Sequence, residues 1–218
     1  MIEAILWDND GVLVDTEGLF FEATRRTFVS AGTDLTRAEF IDAALRSGRN
    51  LWERVAAKGY AAERIARLRR ERDELYAALL ESGDHLIPGA ADTVRLLAVR
   101  YRMGIVTTSL RTHLEAAHRR TGLLARFEII VAREDYEESK PHPEPYLTAL
   151  ARLSVPPEKC LAIEDSERGL ASALAAGLPC VVIPNALTRG SDFAGAAAIL
   201  NDITALPQAV SQIRSQAL

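Results

Sequence analysis

The sequence lacks any apolar run of about 18 residues or more, and it lacks a basic N-terminal region followed by an apolar stretch. It also lacks an excess of positive charge, since 26 Lys and Arg stand against 30 Asp and Glu and the net charge is −4. Electrostatics therefore give no reason to expect binding to nucleic acid or to an anionic membrane. We expect a soluble, cytoplasmic protein that is a monomer and binds neither.

Cysteine, histidine and lysine are all scarce. Cys160 and Cys180 lie in predicted strands, which favours free buried thiols in a reducing compartment over a disulfide or a metal pair. The four histidines have no metal-ligand spacing, and we predict no catalytic role for any of them. Because only three lysines are present, the surroundings of Lys140 are more informative than those of an ordinary surface lysine.

The length of 218 residues exceeds the ~100–200 residues of a typical domain, which indicates one domain with a sizeable insertion or two small domains. After a first apolar strand at 3–7, residues 16–85 show only helical patterns. From residue 86 onward strands and helices alternate, as in a doubly wound parallel sheet. We predict an α/β fold with a Rossmann-like core at 1–15 and 86–218, and an inserted all-helical cap at 16–85.

Two capping-box patterns mark predicted helix starts. Thr36-Arg-Ala-Glu39 predicts a helix that runs to Gly48, and Thr112-His-Leu-Glu115 predicts a helix that runs to Gly122.

Two carboxylates follow the first strand directly. Strand alternation places Asp8 and Asp10 on the same side, and Gly11 allows the backbone to turn away. Ligands bind at the carboxyl ends of strands in open α/β sheets, and two close negative charges favour a divalent cation. On its own, this pattern fits a solvated turn equally well.

Three more polar clusters follow later strands: Thr107-Thr108-Ser109, Lys140-Pro141-His142-Pro143 and Glu164-Asp165-Ser166. Taken singly, the hydroxyls and acids could be plain helix caps, and the lysine could be a surface residue. Together they place acids, hydroxyls and a cation at one edge of the sheet. That combination predicts a site for Mg²⁺ and a phosphoryl group.

These motifs, in this order, resemble the haloacid dehalogenase superfamily. The similarity is greatest to its phosphatase and β-phosphoglucomutase subfamily, whose helical cap is inserted after the first strand. The motifs that carry it are Asp8-x-Asp10-Gly-Val-Leu-x-Asp15-Thr16-Glu17, Val106-Thr107-Thr108-Ser109, Lys140-Pro-x-Pro-Glu144 and Ile163-Glu164-Asp165-Ser166-x-x-Gly169. They span nearly the whole chain.

The resemblance implies roles for individual residues. Asp8 matches the nucleophile that forms an aspartyl-phosphate, and Asp10 matches the general acid that later activates water. Thr107 and Lys140 match positions that bind phosphoryl oxygens, and Thr108 and Ser109 belong to the same expected phosphate site.

The resemblance also implies Mg²⁺ as cofactor. The expected ligands are Asp8, the backbone carbonyl of Asp10, and Asp165, with Glu164 as a further ligand or an outer partner.

The chain departs from the family pattern at two positions. Asn9 stands where members often carry an apolar residue, and Thr108 stands where many carry Asn, which puts one phosphate hydrogen bond in doubt. The presence of Asp10 argues against the halide-displacing branch, because no alkoxide needs a proton there. Lys58 is the only lysine in the cap, and together with Asp10 this argues against carbon–phosphorus cleavage through a Schiff base.

Two related activities then remain. The expected function is an Mg²⁺-dependent phosphatase that hydrolyses a small phosphorylated metabolite, such as a sugar phosphate; the alternative is a β-phosphoglucomutase-like mutase. The mutases share Thr16 but carry a histidine where this chain has Phe20, which favours the phosphatase. We expect Thr16, Phe20 and Arg49 to contact the substrate from the cap. A catalytically inactive binding module is disfavoured, because every charged group that the chemistry needs is present.

Overall fold

The structure, a computed structural model, describes residues 1–216. Its sheet has six parallel strands in the order β3-β2-β1-β4-β5-β6, which confirms the predicted doubly wound α/β fold. The strands are β1 (Ala4–Trp7), β2 (Arg102–Val106), β3 (Ile129–Val131), β4 (Cys160–Glu164), β5 (Cys180–Val182) and β6 (Ala198–Ile199).

The α-helices of the described residues fall into two groups. Those between β1 and β2 in the chain are α1 (Glu17–Ser30), α2 (Arg37–Ile41), α3 (Glu53–Ala56), α4 (Ala62–Leu80) and α5 (Ala90–Leu97). Those that follow β2 are α6 (Arg111–His118), α7 (Glu144–Leu153), α8 (Glu167–Ala175) and α9 (Leu206–Gln216). None of these helices is long and apolar enough to span a bilayer.

Strand β1 lies at the centre of the sheet and sets the position of the acidic turn. All four of its residues are buried, as expected for a strand covered on both faces. Trp7 pairs with Ile105 of β2 and with Ile163 of β4. Asp8 therefore follows β1 at the carboxyl edge of the sheet, between the ends of its two neighbours.

Alternate residues of the strands belong to two hydrophobic layers. Ile5 and Trp7 pack with α5 and α9, while Ala4 and Leu6 pack with α7 and α8. Cys160 and Cys180 are free and buried in the second layer, as predicted.

The cap has a hydrophobic cluster of its own, in which Phe28, Phe40, Trp52 and Leu68 are buried together. Burial of apolar side chains within the cap gives it internal cohesion, since such burial contributes roughly 1.5–3 kcal/mol for each large side chain.

The Thr36 capping box is confirmed, since its hydroxyl accepts from the amide of Glu39 and the carboxylate of Glu39 accepts from the amide of Thr36. The helix that it begins leaves regular α geometry earlier than predicted. After Ile41 the chain continues as a π-helix over Asp42–Ser47, and it ends at Gly48 with φ +68°.

The predicted capping box at Thr112 is wrong. Helix α6 already begins at Arg111, so Thr112 lies inside it. The amide of Arg111 donates to the carboxylate of Glu134, which comes from a segment after β3. A distant residue therefore caps this helix, and local spacing could not reveal it.

Candidate active site

Asp8 lies against Lys140 at the carboxyl end of β1. Lys140 is 3% exposed, and its Nζ donates to Asp8 Oδ1 at 2.8 Å, to Glu164 Oε1 at 2.7 Å and to the carbonyl of Val106 at 2.8 Å. The hydroxyl of Tyr146 donates to the same Glu164 oxygen at 2.6 Å. The three donors of the ammonium are thus all engaged, which fixes its position beside Asp8.

Burial and the attraction between Asp8 and Lys140 have opposite effects on the pKa of each residue. Burial raises the pKa of Asp8 to about 7, Lys140 opposes that rise, and the charges of Glu164 and Asp10 add to it. Burial alone would lower the pKa of Lys140, but the carboxylates of Asp8 and Glu164 raise it above its usual value. Lys140 therefore stays cationic beside Asp8.

Asp8, Glu164 and Asp165 bring one carboxylate oxygen each to a common buried point, with these atoms within 4.8 Å of one another. Among the described residues, Glu164 Oε2 is buried without a hydrogen-bond partner. Burial, followed by the neighbouring charges of Glu17, Asp8 and Glu164, raises the pKa of Asp165 well above its usual value. An all-oxygen, electron-rich cluster fits a divalent cation such as Mg²⁺.

The Asp10 side chain turns away from this cluster and accepts four hydrogen bonds. Thr16 Oγ1 and Tyr76 OH donate to Oδ1 at 2.5 and 3.3 Å, while Thr107 Oγ1 and Ser109 Oγ donate to Oδ2 at 3.2 and 2.8 Å. Three of these four donors were expected near the site. The expected contact of the Asp10 backbone carbonyl with the metal stays a prediction.

Thr108 takes a different partner from its two neighbours. Its Oγ1 accepts from Arg168 Nη2 at 3.0 Å, and both residues line a cleft between the cap and the core.

The cleft has a volume of about 300 Å³ and opens over Asp10. Its lining combines apolar side chains of the cap with polar groups of the core; the residues are Asp10, Glu17, Phe20, Phe40, Ala44, Leu45, Arg72, Asp73, Tyr76, Thr108, Ser109, Leu110, His113, Arg133, Ser139 and Arg168. A volume of this size suits a small metabolite.

The three cap residues expected near the substrate lie in different places. Phe20 lines the cleft, and Thr16 is buried against Asp10. Arg49 is exposed, forms an ion pair with Asp42, and lies outside the part of the cleft that the described residues form.

Several residues that line the cleft were not predicted from the sequence. Arg72 stacks on the ring of Phe20 at 4.5 Å, and Tyr76 contacts the rings of Phe20 and His113 edge-on at 5.1 and 4.9 Å. Leu68, Arg72 and Tyr76 are spaced four residues apart on α4, so the helical period could have shown that they share one face. The period could not have shown that this face meets Asp10.

Asn9 has a buried polar partner. Its Oδ1 lies 2.7 Å from His118 Nε2, and its Nδ2 is buried without a partner among the described residues. Burial lowers the pKa of His118 to about 4, so the neutral ring is the form that meets Asn9. This pair explains how the chain accommodates a polar residue where the family pattern is often apolar.

The chain is similar to known proteins along most of its length. The model of the family described as "Hydrolase: haloacid dehalogenase-like hydrolase" matches residues 2–177. "Protein CbbY" of Cereibacter sphaeroides is 38% identical over 219 residues, which cover 94% of this chain and 94% of that protein. "Phosphorylated carbohydrates phosphatase" of Thermotoga maritima is 31% identical over 182 residues, which cover 81% and 82% of the two chains.

A solved structure of a related protein has the same fold as this chain. CbbY from Rhodobacter sphaeroides, in a complex with xylulose-(1,5)bisphosphate, superimposes with a TM-score of 0.80 at 34% identity and covers 93% of this chain and 95% of that chain. The family match, the two relatives and the solved structure agree with the four motifs and with the sheet order. The chain belongs to the haloacid dehalogenase-like hydrolases, a family in which its relatives include a phosphatase.

Proposed function

We propose that the protein is an Mg²⁺-dependent phosphatase that hydrolyses a small phosphorylated metabolite through an aspartyl-phosphate on Asp8. The observation that carries this proposal is the contact of Asp8 with Lys140 inside a buried cluster that also holds Glu164 and Asp165. A carboxylate nucleophile splits hydrolysis into two steps, each easier than direct attack by water.

In the first step, Asp8 attacks the phosphorus and the bond to the leaving oxygen breaks. The charge of Lys140, which lies beside Asp8, neutralises the phosphoryl oxygens. The hydroxyls of Thr107 and Ser109 donate to these oxygens once they release Asp10. Asp8, Asp165, Glu164 and the carbonyl of Asp10 would hold Mg²⁺, which supplies charge that offsets the repulsion between the carboxylate and the phosphate.

Asp10 serves both steps. It donates a proton to the leaving oxygen and then takes one from the water that attacks the phosphoenzyme, a contribution of roughly 10²–10⁴ in rate. To act as the acid, Asp10 must begin protonated, and the oxygen that carries the proton must give up a hydroxyl donor. The hydroxyls of Thr16 and Tyr76 come from the cap, so cap movement can free Oδ1 for this proton.

The cleft supports a substrate with a polar body and a second anionic group. Arg72, Arg133 and Arg168 surround it, while Phe20 and Phe40 give it an apolar wall. Arginine is suited to phosphate and carboxylate because its planar fork matches their geometry. The phosphatase relative named for phosphorylated carbohydrates, and the CbbY complex with a sugar bisphosphate, support sugar phosphates as the first class to test.

The mutase remains the second candidate because of Tyr76. Although Phe20 stands where the mutases carry a histidine, Tyr76 OH and Thr16 Oγ1 both donate to Asp10 from the cap. A polar contact that couples the acid to the cap is what a mutase needs to delay hydrolysis. Phe20 itself lacks a donor, and for that reason the phosphatase stays the preferred function.

The purified protein should therefore be tested against a panel of phosphorylated metabolites with Mg²⁺ and with EDTA. We expect Mg²⁺-dependent phosphate release that Asp8→Asn lowers at least about 10³-fold without unfolding the protein, because an amide is a poor nucleophile. Asp92→Asn, at an exposed residue of α5, is the matched control. Substantial turnover by Asp8→Asn would contradict the covalent mechanism.

One further assay distinguishes the phosphatase from the mutase. β-Glucose 1-phosphate with a bisphosphate primer should give free phosphate and little glucose 6-phosphate. Glucose 6-phosphate that forms much faster than phosphate would favour the mutase.

A further inference from the structure

Asn185 lies in the turn after β5, with its side-chain amide held in one orientation. Its Oδ1 accepts from the backbone amides of Leu187 and Thr188 at 2.8 and 3.2 Å. Backbone N–H groups can only donate, so the atom that faces them must be the amide oxygen. The amide nitrogen therefore points the other way, towards the active site.

This nitrogen joins two acids that are distant in sequence. Asn185 Nδ2 lies 2.6 Å from Glu17 Oε2 and 2.7 Å from Asp165 Oδ2. Glu17 is 7% exposed and is the first residue of α1, where the chain enters the cap. Asp165 is 1% exposed and belongs to the carboxylate cluster. An amide nitrogen has two hydrogens, one for each acid.

The acidic turn packs directly onto this junction. A Cβ placed on Gly11 would lie 2.3 Å from Asp165 Oδ2 and 2.6 Å from Asn185 Nδ2, and Gly11 has φ +84°. Both the space and the backbone conformation thus require glycine. The turn that bears Asp8 and Asp10 therefore packs against Asp165 Oδ2 and Asn185 Nδ2, the two atoms of the hydrogen bond that orients the Asp165 side chain.

We propose that Asn185 is a positioning residue that orients Asp165 for the divalent cation and fastens the first turn of the cap to it. The part that concerns the cation rests on the proposed function. Groups that hydrogen-bond to a metal ligand fix its orientation, and their loss typically lowers metal affinity about 10–100-fold. A nitrogen that holds Oδ2 fixes the plane of the Asp165 carboxylate and so the direction of its other oxygen.

The turn does not need the amide nitrogen for its own stability. Asn185 Oδ1 and Thr188 Oγ1 supply its internal hydrogen bonds, including the one from the amide of Asn185 to Thr188 Oγ1 at 3.0 Å. The hydrogen bonds that shape the turn use only the oxygen of the Asn185 side chain, so they do not account for the contacts of its nitrogen with Glu17 and Asp165. The contacts of the nitrogen therefore require a separate explanation, which the positioning role provides.

The test compares two variants. Asn185→Ala removes the bonds to both acids as well as the turn bonds of the side chain. Thr188→Ala removes turn bonds but leaves the Asn185 amide, and so it is the matched control. The dissociation constant of Mg²⁺ is measured by titration calorimetry of the purified full chain. We expect it to rise about 10-fold or more in Asn185→Ala and less than about threefold in Thr188→Ala.

Activity at increasing Mg²⁺ is the second readout. Asn185→Ala should lose turnover at low Mg²⁺ and regain most of kcat at saturating Mg²⁺, because the defect lies in holding the ion. Unchanged Mg²⁺ affinity in Asn185→Ala would overturn the positioning role, as would an equal loss in both variants. A wild-type protein that binds Mg²⁺ but hydrolyses no phosphate ester would overturn the proposed function, while a weaker affinity of Asn185→Ala would still support the positioning role.

Discussion

At the scale of single residues, Tyr76 connects the cap with Asp10. Its hydroxyl reaches Asp10 from α4, and its ring is held between Phe20 and His113. Burial, together with the negative charge of Asp10, raises the pKa of Tyr76 well above its usual value. The hydroxyl therefore keeps its proton and acts as a donor across the physiological range.

Removal of this hydroxyl should affect turnover more than substrate binding. We expect Tyr76→Phe to lower kcat roughly fivefold with little change in KM, since one hydrogen bond contributes about 1 kcal/mol. Steady-state phosphate release measures both constants. Tyr60→Phe is the control, because it removes a cap hydroxyl that bonds to the carbonyl of Ala31 instead. Equal losses of kcat in the two variants would show that Asp10 does not depend on Tyr76.

His118 should make the protein sensitive to acid. Its pKa is about 4 in the folded state and 6.5 ordinarily, so the unfolded chain takes up the proton first as pH falls. The His118 contribution to stability is therefore complete above pH 6.5 and is lost towards pH 4, with a limit of about 3 kcal/mol. The raised pKa of Asp8 acts in the opposite direction, because the folded state then binds its proton first.

The comparison with His118→Gln isolates the histidine, since glutamine can still donate to Asn9 but does not titrate. We expect the urea midpoint to fall more from pH 7 to pH 5 in the wild type than in His118→Gln. His142→Gln, at an exposed site, should follow the wild type. Parallel pH profiles of wild type and His118→Gln would refute the assignment.

At the scale of elements, α8 packs so closely on the end of β4 that no side chain larger than that of glycine fits at Gly169. A Cβ on Gly169 of α8 would lie 1.8 Å from Glu164 Oε2 and 2.2 Å from Glu164 Cδ. Glu164 in turn holds Lys140, so the closeness of this helix to the strand helps to place the cation beside Asp8.

Gly169→Ala should therefore displace Glu164. We expect the free energy of unfolding to fall by about 1–3 kcal/mol, as for other overpacked sites, together with a loss of phosphatase activity. Denaturant titration measures the first effect. Gly18→Ala in α1 is the control for stability, because a Cβ there meets nothing within 4 Å. If Gly169→Ala is as stable and active as the wild type, α8 can shift away from β4 without displacing Glu164, and the prediction is wrong.

At the scale of the whole molecule, the described state has the cap in contact with the core. Gly48 packs on Pro141, since a Cβ on Gly48 would lie 2.8 Å from Pro141 Cδ. Arg46 reaches Ser191 Oγ at 3.3 Å and forms an ion pair with Glu167 at 3.5 Å. These contacts join the rim of the cap to the loops around the site.

We expect the cap to move as a body about two short segments, 14–18 and 82–86, which contain Gly18 and Gly83. The segments lie side by side, because Asp15 N donates to the carbonyl of His85 at 2.8 Å. Crystals grown with Mg²⁺ and a phosphate mimic should differ from ligand-free crystals in the cap-to-core angle. Distances within the cap, such as that between Phe28 and Trp52, should stay constant. Identical cap positions in both crystals would exclude this motion.

The sequence alone determined the sheet and the residues at its carboxyl edge. Apolar runs of strand length fix which segments pair, and parallel strands end at the same edge, so Asp8, Thr107, Lys140 and Asp165 were expected to be neighbours before any contact was known. The two hydrophobic layers also follow from alternation along β1. These features depend on local pattern, which one chain displays without its partners.

Only the tertiary structure decided which side chains meet across the cleft. Tyr76, Arg72 and Asn185 join the site because a helix of the cap and a turn after β5 dock onto the core, and no local spacing encodes that docking. Arg49 was expected near the substrate and instead pairs with Asp42 on the surface. The physical reason is that a helix has several faces, and the burial of its whole apolar surface against distant elements selects the one that turns inward.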